Sequence, residues 1–182
     1  MKVQVGCSVR ALLSQQLNIS PEFLEGRIKT IFLDGKPVDD MDSTIIKEGS
    51  TLALSAALPG LAGATLRRGG AFASLRSQIT HPGDEAPVAQ REGFIVLKLF
   101  NLLMDELGPA LLHRGVFIKK EVLKEFLKNL PKDFWAGCQV PKVDGEEVKV
   151  DELLERNWPE DEDLVLIEVH ARDSIHKHQK GG

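Results

Sequence analysis

The sequence predicts an α+β protein made of two tandem units, and three observations carry that reading. An Asp-Gly pair stands between β-rich runs twice, at Asp34-Gly35 and Asp144-Gly145. Two-residue hairpin turns of this type need φ > 0 at both central positions, which Asp-Gly supplies at low cost. An amphipathic stretch precedes each pair, with Val9, Leu12, Leu13 and Leu17 at helical spacing in one case and Leu123, Phe126, Leu127 and Leu130 in the other. An apolar strand closes each segment, opening at Thr51 and at Leu164. The distances from helix to turn differ by only four residues between the segments, and those from turn to strand by three. Near-equal spacing implies one architecture used twice.

Each element has a local reason. The chain opens on MKVQV, a short alternating run, and Ser8 stands where a helix N-cap belongs. Ser20-Pro21 reads as a second cap with proline at the first helical position, and Gly26 stops that turn. IKTIFLDGKPV is the hairpin, DDMDSTIIKEGS a polar crossing with the apolar pair Ile45-Ile46, and TLALSAAL the closing strand. In the second segment, FIVLKLFNLLMDELG fits a strand that runs into a helical turn. HRGVFI is a short strand, KKEVLKEFLKNLP a helix ended by Pro131, CQVPKVDGEEVKV the second hairpin and LVLIEVHA the last strand.

Boundaries follow from composition. Residues 59–93 are rich in Gly, Ala and Arg, hold no lasting apolar period, and read as a flexible linker in which Ala71–Ile79 forms a strand or one helical turn. The expected units are therefore 1–58 and 94–170, followed by a tail at 171–182 that ends in Gly181-Gly182. Only MKVQV precedes the first helix, so the first unit is one strand short. The missing strand is upstream, comes from Ala71–Ile79 or another chain, or does not exist in a reduced unit.

The order strand, strand, helix, strand, strand is the β-grasp arrangement of ubiquitin-like proteins. IVLKLFNLLMDELG resembles the opening of the MoaD/ThiS sulfur-carrier family, and LDGKPVDDMDSTIIKEGSTLALSAALPG resembles its other end. The resemblance covers most of residues 8–58 and 94–170 and includes no diagnostic catalytic motif. It implies chemistry at the carboxylate of a C-terminal Gly-Gly, activated by an ATP-dependent adenylating partner. Gly182 is then the reactive terminus and Gly181 its slim neighbour, because residues without Cβ thread a narrow channel. About a dozen residues separate the last strand from this pair, a longer leash than in the sulfur carriers. A second pair, Gly69-Gly70, closes LRRGG like the end of a ubiquitin-like unit, yet it has no free carboxylate and would act only after internal processing. As linker hardware it needs no chemistry at all.

Other classes have weaker support. A net charge of −4 argues against bulk nucleic-acid binding. No apolar stretch is long and uninterrupted enough for a membrane span, since Phe94–Leu112 carries Lys98, Asp105, Glu106, Gly108 and Pro109. Two cysteines, Cys7 and Cys138, make no disulfide framework, so the expected compartment is the cytoplasm. Cys7 lies just before a helix start, where the dipole lowers a thiol pKa, but no general base is near it in sequence. His170, His176 and His178 lack neighbouring ligands at metal-site spacing, and no metal or cofactor is expected. Acidic runs such as Asp39-Asp40-Met41-Asp42 read as solvated turns. No phosphate-loop, dinucleotide, nucleophile-elbow or zincin motif occurs, so the sequence offers no enzyme. The two remaining readings are a carrier activated at Gly181-Gly182 and a non-covalent protein-interaction module.

Overall fold

Alternation places Val3 and Val5 of β1 (Lys2–Val5) in the core and leaves Lys2 and Gln4 outside. The structure is a computed structural model that describes residues 1–76, 78–84, 89–138, 140–158 and 163–170. Its α+β chain divides into two compact units, Met1–Gly115, to which the chain returns from Glu168, and Val116–Ile167.

In the first unit the helix starts lie where the caps predict them. Ser8 Oγ accepts from the Ala11 N–H at 3.2 Å and opens α1 (Val9–Ala11), which continues into a π-helical turn over Leu12–Gln16. Ser20 Oγ accepts from the Phe23 N–H at 3.2 Å and opens α2 (Pro21–Gly26), with Pro21 in the first turn. The next strands, β2 (Thr30–Leu33) and β3 (Lys36–Pro37), join through Asp34 at φ 50° and Gly35 at φ 81°. Positive φ at both positions is the twist that suits a two-residue hairpin. Asp34 also ties this turn to the start of β4 (Thr51–Ser55), accepting from the Thr51 N–H at 2.7 Å and from Ser50 Oγ at 3.1 Å.

Residues 91–100 add two strands to the first unit. β5 (Arg91–Phe94) pairs antiparallel with β1, in the register Lys2↔Phe94 to Val5↔Arg91. β6 (Val96–Phe100) pairs parallel with β4, from Thr51↔Val96 to Ser55↔Phe100. Only Ile95 separates β5 from β6, and its side chain is buried. Read through Ile95, the strand order is β1, β5/β6, β4, β2, β3. The expected boundaries at 58 and 94 therefore give way to one at 115, for a topological reason. Parallel neighbours cannot be joined by a tight turn and need a long crossover. Most of the stretch expected as a linker belongs to that crossover, while Arg91, Glu92 and Gly93 are already in β5.

The helices and the sheet share one core in which Val9, Leu12, Leu13, Leu24, Ile31, Leu52 and Leu54 are all buried. After β6, Asn101 ties the ends of β6 and β4 together, its Nδ2 donating to Ser55 Oγ at 3.1 Å and to the Ala57 carbonyl at 2.7 Å. α4 (Leu102–Arg114) then adds Leu103 to the same core.

The second unit contains β7 (Val116–Lys119), α5 (Lys120–Asn129), α6 (Lys132–Gly137), β8 (Lys142–Val143), β9 (Glu146–Glu147), α7 (Val150–Glu155) and β10 (Leu164–Ile167). The predicted hairpin forms between β8 and β9, with Asp144 at φ 53° and Gly145 at φ 84°. β10 pairs antiparallel with β7, from Leu164↔Lys119 to Ile167↔Val116. On α5, Leu123 is buried and Leu127 and Leu130 are half-buried, whereas Phe126 is 52% exposed and leaves the predicted face. No helix among the described residues is long and apolar enough to cross a membrane.

Candidate functional site

The crossover from β4 to β5 carries the chemistry-bearing residues that the structure brings together. It begins with α3 (Gly60–Leu66), whose Gly63 lies so close to the Leu58 carbonyl that no Cβ fits there. After α3 comes the LRRGG run. The Arg68 N–H donates to the Lys29 carbonyl at 2.8 Å, docking this run on the residue before β2. Gly69 takes φ 62°, the Gly70 N–H donates to the Arg67 carbonyl at 3.1 Å, and the Gly70 carbonyl accepts from the Ala73 N–H at 3.0 Å. Gly69-Gly70 is thus a turn that leads into a 3-10 helix over Ala73–Arg76. Hydrolysis after Gly70 would first have to open that turn, since a protease takes its substrate extended.

One buried arginine fastens the crossover. Arg76 has a side chain only 2% exposed, and its guanidinium makes five hydrogen bonds. Nε donates to the Thr65 carbonyl at 2.7 Å. The two terminal nitrogens grip both oxygens of Asp39 at 2.9 and 2.6 Å and reach Thr80 Oγ1 at 2.8 Å and the Arg67 carbonyl at 3.3 Å. A guanidinium has five N–H donors, and all are used. Further along, Asp84 fastens the crossover a second time. Its carboxylate accepts from the Ile45 N–H at 2.8 Å and from Lys47 Nζ at 2.7 Å, and its own N–H donates to the Ser43 carbonyl at 2.9 Å.

Between the LRRGG turn and the first unit's helices lies an open cleft of about 830 Å³, lined among others by Glu25, Lys29, Asp39, Arg67, Arg68 and Phe72. Its carboxylates are already committed. Asp39 is held by Arg76, and Glu25 accepts from Arg68 at 2.8 Å and from Arg10 at 3.1 Å. Arg68, then Arg10, holds the Glu25 carboxyl below its usual range. For Asp84, burial pushes the carboxyl up, but Lys47 and the Ile45 N–H outweigh it and the net position is low.

Both shifts carry the same sign for stability. A carboxyl that binds its proton less readily folded than unfolded adds stability above the unfolded value of about 4, and that stability is lost as pH falls through the lower folded value. Chemical denaturation between pH 6 and pH 2 should therefore show stability falling on acidification. The double variant Glu25→Gln/Asp84→Asn should show a shallower fall and lower stability at neutral pH. Parallel pH profiles for the two proteins would contradict these assignments.

The remaining sequence candidates separate. Gly181 and Gly182 lie outside the described residues, as do His176 and His178. His170 packs edge-on against His113 with centroids 4.6 Å apart, and its Nε2 is 3.2 Å from a Glu168 oxygen. Among the described residues no group of three His, Cys, Asp or Glu is placed to hold a metal ion. Cys7 is a buried thiol, and burial pushes its pKa up. Its Sγ donates to the Gln4 carbonyl at 3.2 Å and accepts from Gln16 Nε2 at 3.2 Å, which leaves a packed thiol rather than an activated one. Cys138 is half-buried in the second unit. Sequence reasoning singled out Arg67, Arg68, Gly69 and Gly70, missed Arg76 and Glu25, and read Asp39 as part of a solvated acidic turn, whereas it is gripped by Arg76. The partners Asp39 and Arg76 are 37 residues apart, so only the crossover brings them together.

Comparison with family models, with curated proteins and with solved structures finds no match to this chain.

Proposed function

We propose that the chain is a ubiquitin-like β-grasp protein of the cytoplasm that docks on a protein partner and presents Gly181-Gly182 to an ATP-dependent adenylating enzyme. The supporting observation is the parallel pairing of β4 with β6 at the centre of the strand order β1, β5/β6, β4, β2, β3, with the α1–α2 layer packed on the sheet. A β-grasp sheet sets its first strand beside its last, and here the strand in that first place comes late in the chain. Resemblance to the sulfur carriers extends this to chemistry. The Gly182 carboxylate attacks the α-phosphorus of ATP, pyrophosphate leaves, and a sulfur or amine nucleophile then displaces AMP from the acyl adenylate. The proposal concerns the first unit's fold, because the second unit's β10 runs antiparallel to β7.

A second reading, a non-covalent interaction module, draws on a different observation. Gly69-Gly70, which follows the β4 strand as a ubiquitin-like tail would, is spent on a turn. Val96 and Phe100 are also 49% and 46% exposed on the sheet.

Mass spectrometry after incubation with ATP and a purified adenylating enzyme of the sulfur-carrier type separates the two. An adenylate or thiocarboxylate on Gly182, lost when Gly181-Gly182 is deleted, supports the carrier. An unmodified terminus, with partner capture that survives the deletion, sinks the carrier and leaves the module.

A further inference from the structure

We propose that the cleft framed by the LRRGG turn binds a phosphate-bearing small molecule of about nucleotide size, an activity independent of any chemistry at Gly182. Charge is the first observation. The chain carries a net −4, yet the cleft is lined by three cations, Lys29, Arg67 and Arg68, against two carboxylates, Glu25 and Asp39. Both carboxylates are held by arginines, and one of those arginines, Arg76, stands outside the lining. The positive surplus is therefore larger than the lining alone implies.

Unspent donors are the second observation. Among the described residues the Arg67 guanidinium has no hydrogen-bond or ion-pair partner, although its residue lines the cleft. Arg68 Nε is buried without an acceptor, even though the same guanidinium reaches Glu25. A buried donor left unpaired costs stability unless a ligand or water completes it. The N–H groups of Gly69, Ala71 and Phe72, also in the lining, have no acceptor among the described residues. Guanidinium groups beside free main-chain N–H groups are what phosphate oxygens require, since each oxygen accepts several charge-assisted bonds.

Size and lining narrow the ligand class. The volume of about 830 Å³ exceeds the needs of a bare ion and falls in the range of small-molecule sites, roughly 300–1,000 Å³. Ala64 and the half-exposed Phe72 add apolar surface to the lining, and an aromatic ring offers a face for a base to lie against.

The test uses the full chain alone, with no partner enzyme, so its failure is distinct from failure of the carrier reading. Inorganic phosphate, pyrophosphate and ADP are titrated at low salt, followed by calorimetry and by amide shifts. ADP should bind saturably, with pyrophosphate and phosphate perturbing the same amides of residues 67–72 more weakly. Arg67→Ala removes no hydrogen bond from the fold and should weaken ADP binding by about ten-fold, the loss expected for one charge-assisted contact. Adding Lys29→Ala should weaken it further, while Lys2→Ala, whose ammonium pairs with Glu92, should leave it unchanged. No saturable binding of any probe at millimolar concentration would overturn the proposal. So would equal ADP affinity in Arg67→Ala and wild type, or shifts confined to other residues.

Discussion

A chain cut after Leu58 is expected to show no cooperative unfolding transition, whereas one cut after Gly115 keeps it. The shorter piece retains β1 to β4 but loses β5, β6 and α4. With them go the buried Ile95 and Leu103 and the half-buried Leu97, Leu99 and Leu107. Burial of these five side chains contributes on the order of 7 kcal/mol. A domain's whole stability is about 5–15 kcal/mol, so the loss decides the outcome. It also strips β1 of its strand partner and leaves Leu52 and Leu54 of β4 without β6 beside them. Urea titration followed by far-UV circular dichroism, with proton NMR dispersion as a second readout, checks both fragments. A cooperative transition in the 1–58 fragment would restore the division of the chain at 58.

Arg76→Ala should cost about 3 kcal/mol, among the largest effects of any single side chain outside the apolar core. The substitution leaves Asp39 without its bidentate partner and the Thr65 and Arg67 carbonyls and Thr80 Oγ1 without their donor. Asp39→Asn should cost less, because its side chain is 33% exposed and water replaces part of what is lost. An apolar replacement of both partners, Arg76→Met with Asp39→Leu, should recover part of the Arg76→Ala deficit, since no uncompensated charge then remains. Equilibrium unfolding of the four proteins measures the series. If Arg76→Ala matched wild type, the crossover would not be fastened here, and the cleft beside it would lose its fixed wall.

The two results probe different kinds of information. Caps at Ser8 and Ser20, the turns at Asp34-Gly35 and Asp144-Gly145, and the buried face of Val9, Leu12 and Leu13 were all legible, because each depends on residues within one or two turns of one another. The strand running into a helix at 94–108 was legible for the same reason. The boundary was not. A Gly- and Ala-rich stretch reads as a linker when judged by its own pattern, since a crossover needs only a few anchors to hold it. Those anchors, Arg76 on Asp39 and Asp84 on Ile45 and Lys47, join residues more than thirty positions apart. The cleft was half legible: LRRGG stood out as a motif, but Glu25 did not, and Asp39 read as a solvated turn residue because its partner Arg76 lies far along the chain.

Sequence alone thus established the local vocabulary: an α+β chain, its helix starts, its two hairpins, and a diglycine at each of two places. The tertiary structure decided the grammar. Residues 96–100 pair with 51–55, so the chain between them has to cross over and is anchored on the way by Arg76 and Asp84, and Gly69-Gly70 is a turn beside a basic cleft. The physical reason is range: hydrogen bonds within a turn are dictated by neighbours, while a parallel strand pair is chosen by the whole core it completes.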